Sequence, residues 1–311
     1  MNEFLLIKDY FQDKFPDDQI DMIQHSRNPL ENDVIHLLLF RNTQLSYIVS
    51  TYRKNSTQRL YHENDVMKNL LNKIECPDQN DSILFNTNLI QNHNGVFRIQ
   101  KYLDNKTYRR RLKGLKYSFL CELIDHSNLW IEKLQSVSGY HYSDSCDLLE
   151  EVTLLVKQYN KRYKGGNFLL ELKDSLDQLK SPLKRSFTHG DFCPYNYCFK
   201  NGKFFVFDWE YASVSYWAFY DHLLNFITIW IQLFARNRVT EISFILSSSK
   251  LNKYECLLKN YASSINERYE LSIVEFKSLI VFVYFKNYLR KESHKDPFSQ
   301  PYSENIVQLL H

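Results

Sequence analysis

Glycine is scarce in this sequence. It contains 7 glycines in 311 residues, and none of them precedes Gly95. The N-terminal part therefore has neither a GxGxxG motif nor a P-loop, the two glycine-rich motifs that hold phosphates through backbone N–H groups. Whatever this part of the chain binds must be held by other groups.

Other absences narrow the class of protein further. The six cysteines show no CxxC spacing, so neither a zinc site nor a disulfide framework is indicated, and we expect reduced thiols. A formal charge of +3 is too small to indicate a nucleic-acid surface, so no nucleic-acid partner is expected.

Long apolar runs and targeting signals are also missing. The longest apolar runs, Leu223 to Ala235 and Ser278 to Phe285, are shorter than the roughly 18 residues of a membrane span. They are typical of buried helices, and no membrane partner is expected. The first residues lack the basic-then-apolar pattern of a secretion signal, so we expect a cytoplasmic protein.

The order of the predicted elements indicates an α+β fold. Residues 1–103 combine two helical patterns with extended, β-branched segments, and residues 104–311 are helical in pattern almost throughout, apart from one island of strands. The predicted strands before the island are Val34–Phe40, Leu45–Tyr52, Ile83–Leu89 and Val96–Tyr102. We therefore predict a small strand-rich lobe at 1–103 and a larger helical lobe at 104–311, with a candidate hinge at residues 104–106.

The strand-rich island, residues 186–212, carries oxygen ligands at fixed spacing. Asn201-Gly202 lies between two apolar runs and predicts a two-residue hairpin turn, because both residues tolerate positive φ. Such a turn brings Asn196 and Asp208 to the same end of the hairpin. An amide oxygen and a carboxylate, completed by water and phosphate oxygens, suit Mg²⁺.

Asp191 lies on the loop that enters this hairpin. A carboxylate here can accept the proton of an attacking hydroxyl close to the metal. His189 is a candidate catalytic-loop residue that acts as an internal hydrogen-bond partner, and Gly190 suits a tight turn. The pattern H-G-D-x4-N-x11-D fixes five positions, and a chance match in a chain of this length is on the order of one in ten thousand.

These residues carry a resemblance to a known family. The His-Gly-Asp at 189–191, Asn196 and the Val-Phe-Asp-Trp-Glu at 206–210 closely resemble the aminoglycoside phosphotransferase and choline kinase superfamily, relatives of protein kinases. The resemblance implies a bilobal protein-kinase-like fold that uses ATP and Mg²⁺. It makes Asp191 the catalytic base and Asn196 and Asp208 the magnesium ligands.

The continuation after the motif resembles the choline-kinase type. Glu210 and Tyr211 follow Trp209, and a second aspartate, Asp221, follows Phe219-Tyr220. The resemblance implies that Asp221 braces the catalytic loop and that Glu210 and Tyr211 lie at the substrate site or support it.

The N-terminal lobe departs from the family at one position. Glu63 lies on the apolar face of the helix predicted at 57–74, where an unpaired carboxylate is costly, so a cationic partner is implied. In kinases that partner is a lysine on the third strand, which also holds the α- and β-phosphates of the nucleotide. Here Ser50 occupies the expected place. Arg53 or Lys54 serves instead if the register shifts.

The function that these residues predict is transfer of a phosphate from ATP to a hydroxyl of a small molecule. An amino sugar, a choline-like compound and a sugar-derived metabolite remain open as acceptors. One alternative is a weak or inactive kinase-like protein that binds a nucleotide or ligand as a regulatory module. The reason for this alternative is the serine at position 50. A zinc hydrolase is a distant third, because no second histidine stands at ligand spacing.

Aromatic residues near the motif allow two interpretations. They form either a cation-binding box for the acceptor or part of the core, and at 15% of the chain aromatics make such clusters common. The residues concerned are Tyr195, Trp209, Tyr211, Tyr216 and Trp217.

Overall fold

The computed structural model describes residues 3–24, 34–52, 57–73, 87–92, 95–101, 112–143, 145–162, 167–180, 183–200, 203–234, 242–292 and 309. The chain divides into two compact units. The first consists of Met1–Thr107 and Cys198–Ala212, and the second consists of Tyr108–Tyr197 and Ser213–His311. The predicted hinge at 104–106 lies outside the described residues.

The first unit is built on a five-stranded antiparallel sheet with the strand order β1-β2-β3-β5-β4. Its strands are β1 (Ile20–Gln24), β2 (Val34–Arg41), β3 (Gln44–Tyr52), β4 (Thr87–Asn92) and β5 (Gly95–Lys101). Two helices accompany the sheet, α1 (Glu3–Lys14) and α2 (Thr57–Lys73). Ile7 and Phe11 of α1 join a buried cluster with sheet residues such as Val49 and Ile99. Burial of this apolar surface stabilises the sheet on one face.

Local patterns predicted most of these elements. The first helix ends before Pro16, and β2 and β3 form the predicted hairpin, whose turn residues Asn42 and Thr43 both have positive φ. Strand β1 was not predicted. The strand predicted at 83–89 is shifted toward the C-terminus, to Thr87–Asn92, and residues 83–86 lie outside the described part of the chain.

A two-stranded hairpin also belongs to the first unit. It consists of β8 (Tyr197–Lys200), of which Tyr197 is assigned to the second unit, and β9 (Lys203–Val206). The predicted turn at 201–202 lies outside the described residues. The predicted division at residue 103 placed this hairpin in the helical lobe. The structure groups 198–212 with the first unit, and the end of this segment contacts α2, where His62 Nε2 donates to the Ala212 carbonyl at 2.9 Å.

The second unit is mostly helical. Its helices are α3 (Tyr117–Ser138), α4 (Ser145–Arg162), α5 (Asn167–Asp177), α6 (Tyr220–Phe234), α7 (Ile242–Ser247), α8 (Lys253–Tyr269) and α9 (Ile273–Glu292). A three-stranded sheet with the order β10-β7-β6 joins them, formed by β6 (His141–Ser143), β7 (Leu183–Thr188) and β10 (Ser213–Trp217). Together with the strand-rich first unit, this confirms the predicted α+β class.

The two longest apolar runs form buried helices, as predicted. Helix α6 is buried along most of its length, and residues 279–283 of α9 are fully buried. Among the described residues, none of the helices combines the length and apolar character that a membrane crossing requires.

Candidate active site

The loop that carries the predicted catalytic residues belongs to the second unit and begins where β7 ends, at Thr188. Gly190 has φ 77°, in the left-handed region that residues with a Cβ rarely adopt, so glycine suits this turn. The His189 side chain is fully buried, and its Nδ1 accepts a hydrogen bond from the Asp191 N–H at 3.3 Å. His189 therefore supports the loop from inside, with its ring as an acceptor for the Asp191 backbone.

Both carboxylate oxygens of Asp191 are held by neighbouring side chains. Arg290 Nη2 lies 2.5 Å from Oδ1, and Asn196 Nδ2 donates to Oδ2 at 2.9 Å. The same Asn196 amide also donates to the Asp191 carbonyl at 2.9 Å. The carboxylate, 12% exposed, is thus fixed in orientation while it keeps contact with solvent.

Asp221, at the start of α6, holds the backbone of this loop. Its two oxygens accept hydrogen bonds from the N–H groups of His189 at 2.6 Å and Gly190 at 2.9 Å. Full burial raises the pKa of Asp221 from 3.8 to about 7, although these two N–H groups oppose the shift, and the negative charge of Asp191 adds to it. The ionised form of the carboxyl that holds the loop is therefore electrostatically unfavourable.

Arg290 contacts the loop, although its sequence gave no indication of this. It comes from α9, and its guanidinium contacts three groups: the Gly190 carbonyl at 2.6 Å, Asp191, and Asn287 Oδ1 at 2.5 Å. The local sequence does not distinguish Arg290 from the other basic residues of the helix. Its contact with Asp191 joins residues 99 positions apart, and such a contact leaves no local pattern.

In the first unit, Glu63 of α2 is buried and forms an ion pair with Arg98 of β5. Glu63 Oε1 also accepts the N–H of Trp209 at 3.2 Å. Ser50 is buried on β3, where its Oγ lies 2.9 Å from His36 Nδ1. Arg98 is thus the cationic partner of Glu63, which the sequence had predicted at Arg53 or Lys54, and both of those residues lie outside the described part of the chain.

The two candidate magnesium ligands belong to different units, and each fits the metal by its chemistry. Asn196 directs its amide nitrogen to Asp191, so its amide oxygen, on the other branch of the side chain, is the atom that could bind a metal. Asp208 follows β9 by two residues and has φ 70°, a conformation uncommon outside glycine but tolerated by aspartate. Two hard oxygen ligands are what Mg²⁺ takes from a protein when water and phosphate supply the rest.

A zinc site finds no support among the described residues. They contain no group of three or more His, Cys, Asp or Glu side chains placed to hold a metal ion. A closed zinc site needs four such ligands and a catalytic one needs three, so the described part of the chain gives the hydrolase alternative no metal centre.

The aromatic residues divide into core and surface positions. Trp209 is fully buried, Tyr195 is 57% exposed, and Tyr211 and Glu210 are half-buried in the turn that follows Asp208. Their exposure alone assigns none of them to a ligand.

Tyr216 and Trp217 already contact cations of the protein itself. The Lys286 ammonium lies 4.0 Å from the centre of the Tyr216 ring, and the Arg185 guanidinium lies 4.4 Å from that of Trp217. Glu151 accepts hydrogen bonds from the Tyr216 hydroxyl at 2.6 Å and from Trp217 Nε1 at 2.7 Å. These two rings therefore belong to an internal polar network.

Solved structures of kinases share this fold over nearly the whole chain. The gentamicin complex of APH(2'')-IIa is 15% identical, with 98% of this chain and 95% of that chain covered and a TM-score of 0.54. The choline kinase LicA from Streptococcus pneumoniae is 14% identical, with 98% and 96% covered and a TM-score of 0.52. A thermostable mutant of aminoglycoside phosphotransferase APH(4)-Ia with ADP and hygromycin B is 10% identical, with 97% and 98% covered and a TM-score of 0.55. At such identities the likeness shows the protein-kinase-like fold, as predicted.

Sequence comparison identifies the family. No curated protein matches the chain by sequence. The model of the phosphotransferase enzyme family, APH, matches residues 27–221, which is more than half of the chain and includes both the Glu63 helix and the loop at 189–191. The chain therefore belongs to the phosphotransferase enzyme family, as the motif at 189–208 predicted, and is a small-molecule kinase.

Proposed function

We propose that this protein transfers the γ-phosphate of ATP to a hydroxyl of a small molecule, with Asp191 as the catalytic base and Mg²⁺ as the metal. The observation that carries the proposal is the fixed Asp191 carboxylate, with Arg290 on one oxygen and Asn196 on the other. A base must be oriented toward the proton that it accepts, and these contacts fix that orientation before an acceptor binds.

In the proposed reaction, Asp191 orients the acceptor hydroxyl and takes its proton as the oxygen attacks the γ-phosphorus. The bond between the γ-phosphorus and the β–γ bridging oxygen breaks, and ADP leaves. Asp221 keeps the loop backbone in place through the N–H groups of His189 and Gly190, so the carboxylate of Asp191 does not shift. Arg290 holds the Gly190 carbonyl as well as the Asp191 carboxylate and so ties the loop to α9. All these roles lie within the second unit.

Asn196 and Asp208 are the residues that would hold magnesium. When bound, the metal neutralises charge on the β- and γ-phosphates. The family and the fold support nucleotide use, since the APH(4)-Ia structure contains ADP and another LicA structure contains AMP. The donor chemistry of the two residues, a carboxylate and an amide oxygen, supports Mg²⁺ over softer metals.

For the acceptor we propose a chemical class and not a single compound. The relatives named above are aminoglycoside phosphotransferases and a choline kinase, so an amino sugar, a choline-like compound or a sugar-derived metabolite is the proposed range. Because Tyr216 and Trp217 contact Lys286 and Arg185, they do not supply an aromatic box for a cationic acceptor.

The regulatory-module alternative rested on the serine at position 50. Arg98 gives Glu63 a cationic partner without a lysine on β3, so the serine at position 50 is a weaker argument for a regulatory module. Transfer activity is the measurement that separates an enzyme from a module that only binds nucleotide.

Asp191→Asn tests the assignment of the base. We expect phosphate transfer to fall by at least about a hundredfold, because a general base contributes roughly that much to the transition state. The thermal shift given by ATP and Mg²⁺ should persist. Asp125→Asn, at an exposed position of α3, is the matched control and should transfer at the wild-type rate. An Asp191→Asn protein with near wild-type activity would refute the role of Asp191.

A further inference from the structure

The third strand of the first unit lacks a cation at the place where kinases carry one. Ser50 of β3 is buried, and its hydroxyl contacts His36 on the neighbouring strand β2. A serine hydroxyl cannot neutralise the buried carboxylate of Glu63. Another residue must supply the positive charge.

The strand next to β3 supplies this charge. Strands β3 and β5 are antiparallel neighbours, and Ser50 and Arg98 are direct partners in their register. The Arg98 guanidinium forms the ion pair with Glu63, with 14% of the Arg98 side chain and 5% of the Glu63 side chain exposed. The positive charge is therefore on β5, at the residue paired with Ser50, and not on β3.

The ion pair is connected to a candidate metal ligand within the same unit. Glu63 Oε1, which contacts Arg98, also accepts the N–H of Trp209, and Trp209 directly follows Asp208. Glu63 thus fixes the position of the guanidinium relative to the backbone that carries Asp208. In kinases the phosphate-binding cation and the metal ligand act on the same nucleotide, and here Glu63 contacts both the guanidinium and the residue after Asp208.

We propose that Arg98 binds the α- and β-phosphates of the nucleotide and so replaces the third-strand lysine from the adjacent strand. This inference rests on the proposed function. A guanidinium has five N–H donors in a planar fork, which allows one group to contact a carboxylate and a phosphate together. The exposed fraction of Arg98 leaves the side chain within reach of a ligand from solvent.

The experiment compares nucleotide affinities of Arg98→Met with those of the wild-type protein, by calorimetry with ATP, ADP and adenosine in the presence of Mg²⁺. We expect ATP and ADP to bind about tenfold to a hundredfold more weakly, the effect of losing a charged hydrogen bond, while adenosine binds unchanged. Arg41→Met is the matched control, because Arg41 is a sheet arginine that also forms an ion pair, with Asp18. It should leave all three affinities unchanged.

A relocation variant tests the geometry directly. Ser50→Lys combined with Arg98→Met returns the cation to β3, opposite its present position, and should recover most of the lost ATP affinity. If Arg98→Met does not fold, Arg98→Lys gives the same test, because a lysine cannot hold both groups in a fork and should lower ATP affinity relative to adenosine by about severalfold.

The outcomes are distinguishable. Unchanged ATP affinity in Arg98→Met, or an equal loss for ATP and adenosine, overturns the phosphate-binding role and leaves the proposed function intact. A loss confined to the phosphorylated ligands, with recovery on relocation, supports it. A folded wild-type protein that binds no nucleotide at all overturns the proposed function and this inference together.

Discussion

Replacement of Asp221 by asparagine should change how stability depends on pH. The carboxyl is fully buried, and its pKa is about 7 in the folded protein, against 3.8 for the free group. Between these two values the unfolded chain has released a proton that the folded protein retains. Raising the pH through this window therefore favours the unfolded state, by about 1.4 kcal/mol for each pH unit.

The size of the effect follows from the same numbers. Over the whole window the wild-type protein loses roughly 4 kcal/mol of stability through this one group, and about 2 kcal/mol of that falls between pH 5 and pH 7. An asparagine does not ionise, so the variant lacks this loss. Its amide oxygen accepts one of the two backbone N–H groups, of His189 or Gly190, and the other N–H is left facing an NH₂ donor at a cost of about 1–3 kcal/mol.

Urea unfolding of both proteins, followed by circular dichroism from pH 5 to pH 8, measures the difference. We expect Asp221→Asn to be less stable than wild type at pH 5 and to gain about 3 kcal/mol relative to it by pH 8. Phosphate transfer should be lower than in the wild-type protein even at pH 8. The backbone N–H that faces the NH₂ group of the asparagine has no acceptor, and this shifts the loop that carries Asp191. Asp125→Asn gives the baseline. A stability difference that stays flat across this range would refute the reasoning.

Three further predictions concern the same loop and its ligands. Asn196→Ala and Asp208→Ala should each lose the Mg²⁺-dependent part of the thermal shift given by ATP, and an undiminished shift in both would exclude them as ligands. Arg290→Met should lower kcat more than it lowers nucleotide affinity, because the Arg290 side chain orients Asp191. Steady-state kinetics with titrated ATP measures both, and a change in KM alone would contradict this role. Gly190→Ala should destabilise the fold by about 1–2 kcal/mol, the cost of a Cβ at φ 77°, and thermal unfolding that is unchanged would count against strain there.

The sequence predicted the parts of the site that are local in the chain. Asp191, Asn196 and Asp208 lie within 18 residues, around a hairpin whose strands are observed as predicted, so their spacing could be recognised in the sequence, and their roles stay predictions. Asp221, which the family resemblance implied as a brace, does accept the two N–H groups of the loop. Apolar periodicity likewise predicted α2 and the buried helices α6 and α9, since long amphipathic or apolar segments depend little on distant context.

The parts that the sequence did not predict depend on tertiary contacts. Arg98 reaches Glu63 across 35 residues and Arg290 reaches Asp191 across 99, and side-chain pairing at such separations leaves no periodic signal. The three-residue strand β6 and the exposed residues of β10 were missed for a related reason. They form by pairing with β7 rather than by their own apolar pattern.

The most direct test of the central claim is phosphate transfer by the wild-type protein. The protein, ATP and Mg²⁺ are incubated with amino sugars, choline-like alcohols and sugar-derived metabolites in turn, and the products are identified by mass spectrometry and ³¹P NMR. We expect at least one of these hydroxyl compounds to become a phosphate monoester while ATP becomes ADP. Stabilisation by ATP and Mg²⁺ without transfer to any of them would contradict it and favour a protein that binds nucleotide as a regulatory module.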